Sequence, residues 1–153
     1  MDLGLVVRSH GWYDLPPFEW APAEKTLGLI FLEGEDPVQM VVAERTNGLV
    51  VKATALAPSA RASRGRSQGI RRVLERVLDL KANLSSFHSS CAGDPRFAWV
   101  ARRGAGRILR APTLFEDAVK VLATTNCTWG LTKIMVKNLI ERFDHGGAFP
   151  NAS

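Results

Sequence analysis

The chain has 153 residues, of which 46% are hydrophobic and 23% charged, a balance typical of a globular protein rather than of a disordered or collagenous one. Its longest apolar stretches fall short of the roughly 18 residues needed to cross a bilayer, and the acidic Asp2 stands where a secretion signal would be basic. We therefore expect a cytoplasmic protein of one ordinary domain, or of one domain and the start of another.

The formal net charge of +5 conceals an asymmetry along the chain. Residues 1–44 hold eight acidic and two basic residues, a net charge of −6, so the remaining residues sum to +11. Most of this positive charge belongs to two arginine clusters: Arg61, Arg64, Arg66, Arg71, Arg72 and Arg76, then Arg96, Arg102, Arg103, Arg107 and Arg110. Clustered guanidinium groups suit phosphate oxygens and predict salt-sensitive binding to a polyanion, although a solvated basic surface would have the same composition.

The first third of the chain predicts an antiparallel sheet. Runs rich in Val, Ile and Leu predict strands at residues 3–8, 27–32, 38–45 and 49–56, with EGEDP and TNG as the clearest turn signals. Connections this short imply an antiparallel meander. The small and basic residues of 57–69 then predict a loop.

Helical periodicity replaces the strand pattern after this loop. A helix is predicted over 67–81, and its apolar face holds Ile70, Val73, Leu74, Val77 and Leu78. On the opposite face Arg71 and Glu75 are four residues apart and can form an ion pair.

Two shorter helices and a boundary follow. LSSFHSSC predicts one helix, and DPRFAWVARRG predicts another that Asp94 caps and Gly104 ends. Residues 104–112, GAGRILRAP, are predicted to be a loop. Pro112 marks the boundary between an α+β unit of residues 1–111 and a helical unit of residues 112–153.

Beyond this boundary the sequence predicts a helix hairpin. Thr113 and Glu116 form a capping box for the first helix, whose apolar side holds Phe115, Ala118, Val119 and Leu122. The second helix runs over 129–143 and has Thr128 as its N-cap. Its apolar residues are Leu131, Ile134, Met135, Leu139, Ile140 and Phe143, with Val136 beside them. This arc is wider than contact with one layer requires, so we expect a second copy or a carboxy-terminal fragment to cover the excess, or else a poorly soluble protein.

The hairpin connection LATTNCTWGLT, residues 122–132, consists mainly of small polar residues. Its amides precede a helix, where unpaired donors and the helix dipole attract a phosphate, and Thr128 is the residue expected to contact it. Asn126 carries a donor and an acceptor on a short stem, which suits the polar edge of a base. Alternatively, Asn126 and Thr128 only satisfy local backbone groups.

The cysteines and histidines do not indicate a metal site or a nucleophile. Cys91 and Cys127 lack a second Cys or His at ligand spacing, so we expect them to be buried free thiols. His10, His88 and His145 are scattered, and their spacing supports no catalytic pairing. We expect neither a metal nor a cofactor.

Residues 110–143, RAPTLFEDAVKVLATTNCTWGLTKIMVKNLIERF, resemble the first helix hairpin of the helix-hairpin-helix DNA glycosylases, the superfamily of alkyladenine and 8-oxoguanine base-excision enzymes. GWYDLPPFEW is similar to the strand region near the amino terminus of their α+β domain. The resemblance extends over nearly the whole chain, and residues 107–143 carry its specific part. It implies a sheet domain packed on a helical domain, with a damaged purine flipped out of double-stranded DNA into the cleft between them.

The resemblance also assigns roles to residues of the hairpin. Asn126 matches the position whose side chain enters the duplex to replace the flipped base or to contact its partner, and Thr124 and Thr125 precede it on the same loop. Trp129 matches a position beside the base pocket. Leu15–Phe18, with Pro17 and Phe18, matches one pocket wall. The alternatives are a core position for Trp129 and a strand-entry turn that places Phe18 and Trp20 in the core. Phosphate contacts are expected from the arginine clusters, chiefly from Arg64, Arg66, Arg107 and Arg110.

The chain departs from the family pattern at the catalytic step. The family's Gly-rich hairpin, the carboxylate beyond it and the lysine of bifunctional members are not found before the sequence reaches GGAFPNAS. Glu116 and Asp117 lie in the first turn of a helix, where the dipole already explains negative charge. The resemblance thus implies the amino-terminal portion of a DNA glycosylase, inactive by itself. A non-catalytic nucleic-acid-binding module, or a scaffold that recruits a protein through the apolar face of helix 129–143, are the alternatives.

Overall fold

A computed structural model describes residues 1–56, 66–143 and 145–151, without the side chain of Arg66. The helices are α1 (Leu3–Val7), α2 (Arg66–Val77), α3 (Ser85–Ala92), α4 (Ala98–Arg103), α5 (Leu114–Thr124) and α6 (Trp129–Phe143). The strands are β1 (Phe18–Ala21), β2 (Thr26–Glu33), β3 (Asp36–Arg45) and β4 (Gly48–Ala55), and a 3₁₀ turn spans Gly11–Asp14. Together they form the α+β fold that the sequence predicts.

The four strands form one antiparallel sheet in the order β1-β2-β3-β4. Alternation buries Leu27, Leu29 and Phe31 of β2, while the residues between them are less enclosed. In the register, Leu29 pairs with Met40 of β3. The predicted strands at 27–32, 38–45 and 49–56 are therefore confirmed, with boundaries shifted by a few residues. The first strand, β1, is not among the runs predicted from Val, Ile and Leu content.

The strand predicted at residues 3–8 is wrong, because Leu3–Val7 is the helix α1. Leu3, Val6 and Val7 are spaced at i, i+3 and i+4, which places all three on the buried face of a helix. Asp2 caps this helix by accepting a hydrogen bond from the amide of Leu5 at 3.0 Å. The capped helical periodicity thus prevails over the β propensity of the valines.

The long helix α2 follows the predicted pattern but ends four residues early. Val77 and Leu78 are fully buried, and the Arg71 Nε donates to Glu75 Oε1 at 2.9 Å, as predicted. The helix stops because Asp79 adopts a left-handed conformation, with φ at 50°. Of the predicted loop 57–69, residues 57–65 lie outside the described residues, and the rest belong to α2.

The two short helices are present, but the second begins later than predicted. Asp94 accepts from the amide of Arg96 in a turn, and α4 starts only at Ala98. Gly104 ends α4 in a left-handed conformation, with φ at 61°, as predicted.

Two hydrophobic clusters lie side by side. The larger one joins the sheet to α1, α2 and Leu109, and the smaller one contains Leu15, Val136, Ile140 and Phe149. The ring of Trp12 packs against both clusters, so the 3₁₀ turn lies at their junction. Within the described parts of the chain, no helix combines the length and apolarity that a membrane crossing requires.

Candidate nucleic-acid interface

The start of α6 is held on the 3₁₀ turn by polar and ring contacts. The Trp129 indole Nε1 donates to Asp14 Oδ2 at 2.7 Å, and Lys133 Nζ lies 2.9 Å from Asp14 Oδ1. The hydrogen bond from Trp129 and then the one from Lys133 lower the pKa of Asp14. The Trp129 ring also covers Gly11, where an added Cβ would lie 2.6 Å from a ring carbon.

The threonines of the hairpin connection bond to the local backbone. Thr124 Oγ1 donates to the carbonyl of Val121 at 2.6 Å, and Thr125 Oγ1 donates to that of Leu122 at 2.7 Å, so both satisfy carbonyls in the last turn of α5. Thr128 Oγ1 accepts from the amide of Leu131 at 3.3 Å, as its predicted N-cap role requires.

Asn126 differs from these threonines. It has a left-handed backbone, with φ at 54°, which is costly for most side chains and best tolerated by Gly, Asn and Asp. The residue is exposed, and its side chain makes no hydrogen bond to residues 1–56, 66–143 or 145–151. Its donor and acceptor are therefore available to a partner at the tip of the hairpin.

The three predicted pocket-wall residues have different surroundings. Phe18 is 5% exposed in the sheet core, and Pro17, joined to Pro16 by a cis peptide bond, is also buried. Trp129 is 38% exposed and covers Gly11. Trp129 and Phe18 thus contact different neighbours, and their assignment to one base pocket stays a prediction.

Two of the predicted phosphate-binding arginines also hold the chain that follows α2. The Arg107 guanidinium donates to the carbonyls of Asp79 and Ala82, and Arg110 lies 3.2 Å from Asp79 Oδ1. Arg64 and the side chain of Arg66 lie outside the described residues.

Arg110 lines a polar cleft of about 230 Å³. The other residues of this cleft are Arg72, Glu75, Arg76, Asp79 and Lys81. Four cations thus face two carboxylates, which leaves a positive balance suited to an anion such as a phosphate. We refer to this set of residues as the arginine cleft.

Asp117 connects the arginine cleft to the first turn of α5. Its carboxylate accepts from Arg76 at 2.8 Å, from the indole of Trp12 at 2.9 Å and from the amide of Ala111 at 2.8 Å. Proximity to the helix dipole is therefore only part of the reason for an acid at this position, because Asp117 also joins α2, the 3₁₀ turn and α5.

A buried ion pair inside α5 was not predicted from the sequence. Lys120 Nζ lies 2.5 Å from Glu116 Oε1, and the two side chains are 0% and 3% exposed. The ammonium also lies 4.8 Å from the ring centre of Phe18 and 5.8 Å from that of Phe149. Burial raises the pKa of Glu116 and lowers the pKa of Lys120, while their mutual attraction acts in the opposite direction on each.

This pair also corrects the predicted capping box. Thr113 Oγ1 accepts from the amide of Glu116 at 3.0 Å, but the Glu116 side chain turns inward to Lys120 instead of bonding back to Thr113. The i, i+4 spacing of Glu116 and Lys120 allows an ion pair, but the same spacing is common on exposed helix faces and does not indicate burial. The dipole interpretation of Glu116 is consequently insufficient, since its carboxylate is a buried partner of Lys120.

The apolar stripe predicted for α5 faces mostly outward. Phe115 is 39% and Leu122 67% exposed, and Leu114 and Val121 beside them are 74% and 52% exposed. On α6, Val136 and Ile140 are buried, whereas the exposed fractions of Leu131, Ile134 and Phe143 are 45%, 56% and 53%. An apolar groove of about 410 Å³ runs between the helices, lined by Val119, Leu122, Ala123, Met135, Asn138, Leu139 and Arg142.

The two cysteines are free thiols but only partly buried, so the prediction that both are buried is wrong. No three His, Cys, Asp or Glu side chains within residues 1–56, 66–143 and 145–151 lie close enough together to hold a metal ion. Comparison with protein-family models, with curated proteins and with solved structures gave no match.

Proposed function

We propose that the chain is the amino-terminal portion of a base-excision DNA glycosylase that acts on damaged purines, and that it supplies DNA contacts rather than the catalytic carboxylate. The observation that carries this proposal is Asn126, an exposed left-handed residue at the tip of the α5–α6 hairpin whose side-chain amide makes no hydrogen bond within the described part of the chain. Its donor and acceptor are suited to a base edge exposed when the opposite nucleotide leaves the stack.

The residues around Asn126 make the tip a defined structure. Thr124 and Thr125 close α5, Thr128 opens α6, and Trp129 is fixed to Asp14. Because these bonds hold the backbone on both sides of Asn126, little backbone conformational entropy is lost when the tip enters a duplex.

The arginine cleft is a second contact region for the same duplex. It adjoins Asp117, and Thr124 at the other end of α5 is seven residues farther along, which corresponds to about 10 Å of helix. We infer that the cleft binds a backbone phosphate of the duplex that Asn126 enters.

The acids of α5 support a binding role without catalysis. Glu116 is 2% exposed and paired with Lys120, and Asp117 accepts hydrogen bonds from three groups. Glu116 is thus enclosed, and the Asp117 carboxylate, 19% exposed at its side chain, is engaged by these three donors. Incubation of the chain with duplex containing alkylated or oxidised purines should yield no abasic product, and excision would contradict this part of the proposal.

Binding to a duplex with an abasic-site analogue, compared with the intact duplex by fluorescence anisotropy, tests the role of Asn126. Asn126→Gly retains the left-handed backbone and removes only the amide, so it separates base contact from strain. We expect it to weaken binding to the abasic duplex by about tenfold, the value of one good base contact, and to change binding to intact duplex much less. Asn47→Gly, at the exposed β3–β4 turn, is the matched control. Equal affinity of Asn126→Gly and the unmodified chain for the abasic duplex would refute the proposal.

Salt dependence tests the arginine cleft separately. Arg72→Ala should weaken binding to both duplexes alike and reduce the slope of log affinity against log salt by about 0.9 for one phosphate contact. An unchanged slope would exclude a phosphate from the cleft while leaving the role of Asn126 intact.

A further inference from the structure

The orientation of α5 reverses the usual one for a surface helix. All three of its charged residues are engaged inside the protein, because Glu116 and Lys120 are buried as a pair and Asp117 is bonded to neighbouring elements. The outward face is uncharged and consists of Leu114, Phe115, Ala118, Val121 and Leu122, followed by Thr125. The most exposed residues of this face are Leu114 at 74% and Leu122 at 67%. A helix of a monomer normally has its polar side in this position.

The spacing of this face suits contact with another helix. Leu114, Ala118 and Val121 recur at intervals of four and three residues, the alternation of a helix–helix seam. Phe115 and Leu122 flank this seam. Ala118 lies near its middle, where a small side chain lets two helix axes approach closely.

We propose that the outward face of α5 is the interface of a homodimer, in which two copies of the chain pack α5 against α5 in antiparallel directions about a twofold axis near Ala118. An interface of this symmetry uses the same patch on both subunits, so a charge near the axis would face its own copy. The outward face of α5 contains no charge and is therefore self-complementary. Around such an axis Leu114 of one copy lies opposite Leu122 of the other.

The neighbouring helix α6 fits a twofold interface less well. Its exposed apolar residue Ile134 lies between Lys133 and Lys137, which are 45% and 66% exposed at their side chains. Two copies that met through α6 would oppose these lysines. In an α5-centred dimer, the apolar groove and Leu131 of α6 lie at the margin and add contact area.

The exposed apolar area of α5 supplies part of what a dimer needs. A stable interface buries about 800 Å² on each partner, and even an aromatic side chain buries only about 150–250 Å². Leu114, Phe115, Val121 and Leu122, exposed to 74%, 39%, 52% and 67%, therefore form the centre of such a patch, roughly half of its area, and the α6 side of the groove with a polar rim supplies the rest.

Sedimentation velocity of the full chain over a wide concentration range, without DNA, tests this interface. The chain should shift from monomer to dimer as concentration rises. Leu122→Glu and Leu114→Lys each place a charge in the apolar seam, so each should raise the dimer dissociation constant by at least about tenfold. Both positions are largely exposed, and circular dichroism should confirm that both variants fold. Ile108→Glu, at a 53% exposed apolar residue of the loop before α5, is the control that should leave association unchanged.

A mixture of the two variants gives the sharpest result. In the antiparallel arrangement the new glutamate of one copy faces the new lysine of the other, so an equimolar mixture should regain association that each variant alone has lost. A chain that stays monomeric at every concentration would overturn the proposal. So would a dimer that Ile134→Glu disrupts and Leu122→Glu does not, or a mixture that fails to associate.

Discussion

Replacement of Lys120 by Met should lower the free energy of unfolding far more than the same replacement of a lysine on an exposed helix face. The substitution keeps an unbranched side chain of similar length but leaves the Glu116 carboxylate, 3% exposed, without its counter-charge. Breaking a buried ion pair from one side costs about 3–5 kcal/mol, and the ammonium also gives up its positions 4.8 Å and 5.8 Å from the rings of Phe18 and Phe149. For a domain with a typical total stability of about 5–15 kcal/mol, this is a large fraction.

Urea unfolding followed by circular dichroism measures the effect. Lys137→Met is the matched control, because Lys137 also pairs with an acid four residues later, Glu141, but at 3.6 Å and with side chains 66% and 62% exposed. It should cost no more than about 0.5 kcal/mol. The double variant Glu116→Leu with Lys120→Met removes both charges and should recover most of the lost stability. Equal unfolding free energies for Lys120→Met and Lys137→Met would refute the burial of this pair.

The pH dependence of Lys120→Met provides a further check. Burial raises the pKa of Glu116, and this variant no longer has the ammonium that opposes the shift. The folded variant then holds a proton that the unfolded chain has released, so its stability should fall as pH rises from the ordinary Glu range to the raised folded pKa. The unmodified protein should show a smaller fall over this range, because the Lys120 ammonium opposes the rise in the pKa of Glu116.

Two predictions concern the junction between α6 and the 3₁₀ turn. The hydrogen bond from Trp129 lowers the pKa of Asp14, so this contribution to stability is present above the ordinary Asp pKa and is lost as pH falls through the lower folded value. The indole proton resonance of Trp129 should shift in that acid range, and Asp14→Asn should abolish the transition; a resonance that titrates identically in both proteins would contradict the bond. Gly11→Ala should cost about 1–3 kcal/mol, because its Cβ would lie 2.6 Å from the Trp129 ring, whereas Gly130→Ala, with open space around the new methyl group, should stabilise α6 by about 0.5–1 kcal/mol. Thermal unfolding of both variants measures these changes in stability. A destabilisation by Gly130→Ala at least as large as that by Gly11→Ala would contradict the packing of the Trp129 ring on Gly11.

The sheet and the main helices were predictable because short-range patterns determine them. Runs rich in Val, Ile and Leu between turn signals predicted β2, β3 and β4, and the helical periodicity around Val77 and Leu78 predicted α2. The pattern misled at Leu3–Val7, where a run rich in Leu and Val has both strand propensity and helical spacing. Asp2 favours the helix because its side chain caps the first turn, and the helix buries Val6 and Val7 on one face.

The candidate site was predictable in part. Small polar residues between two apolar helices located the hairpin tip, and Thr128 caps α6 as its position indicated. Sequence periodicity could not show which side of α5 faces inward, because the apolar side of a helix is normally the buried one. The contact of Lys120 with Phe18 and Phe149 joins residues far apart in the chain, and no local pattern encodes it.

Chemical-shift mapping of the amide resonances during titration with an abasic-site duplex tests most directly whether the hairpin tip contacts DNA. We predict the largest changes at the backbone amides of residues 124–128 and at the side-chain amide of Asn126, with smaller changes around Arg72 and Arg110. Bound duplex that leaves the Asn126 resonances unshifted would contradict insertion of this residue, whatever the affinity of the complex.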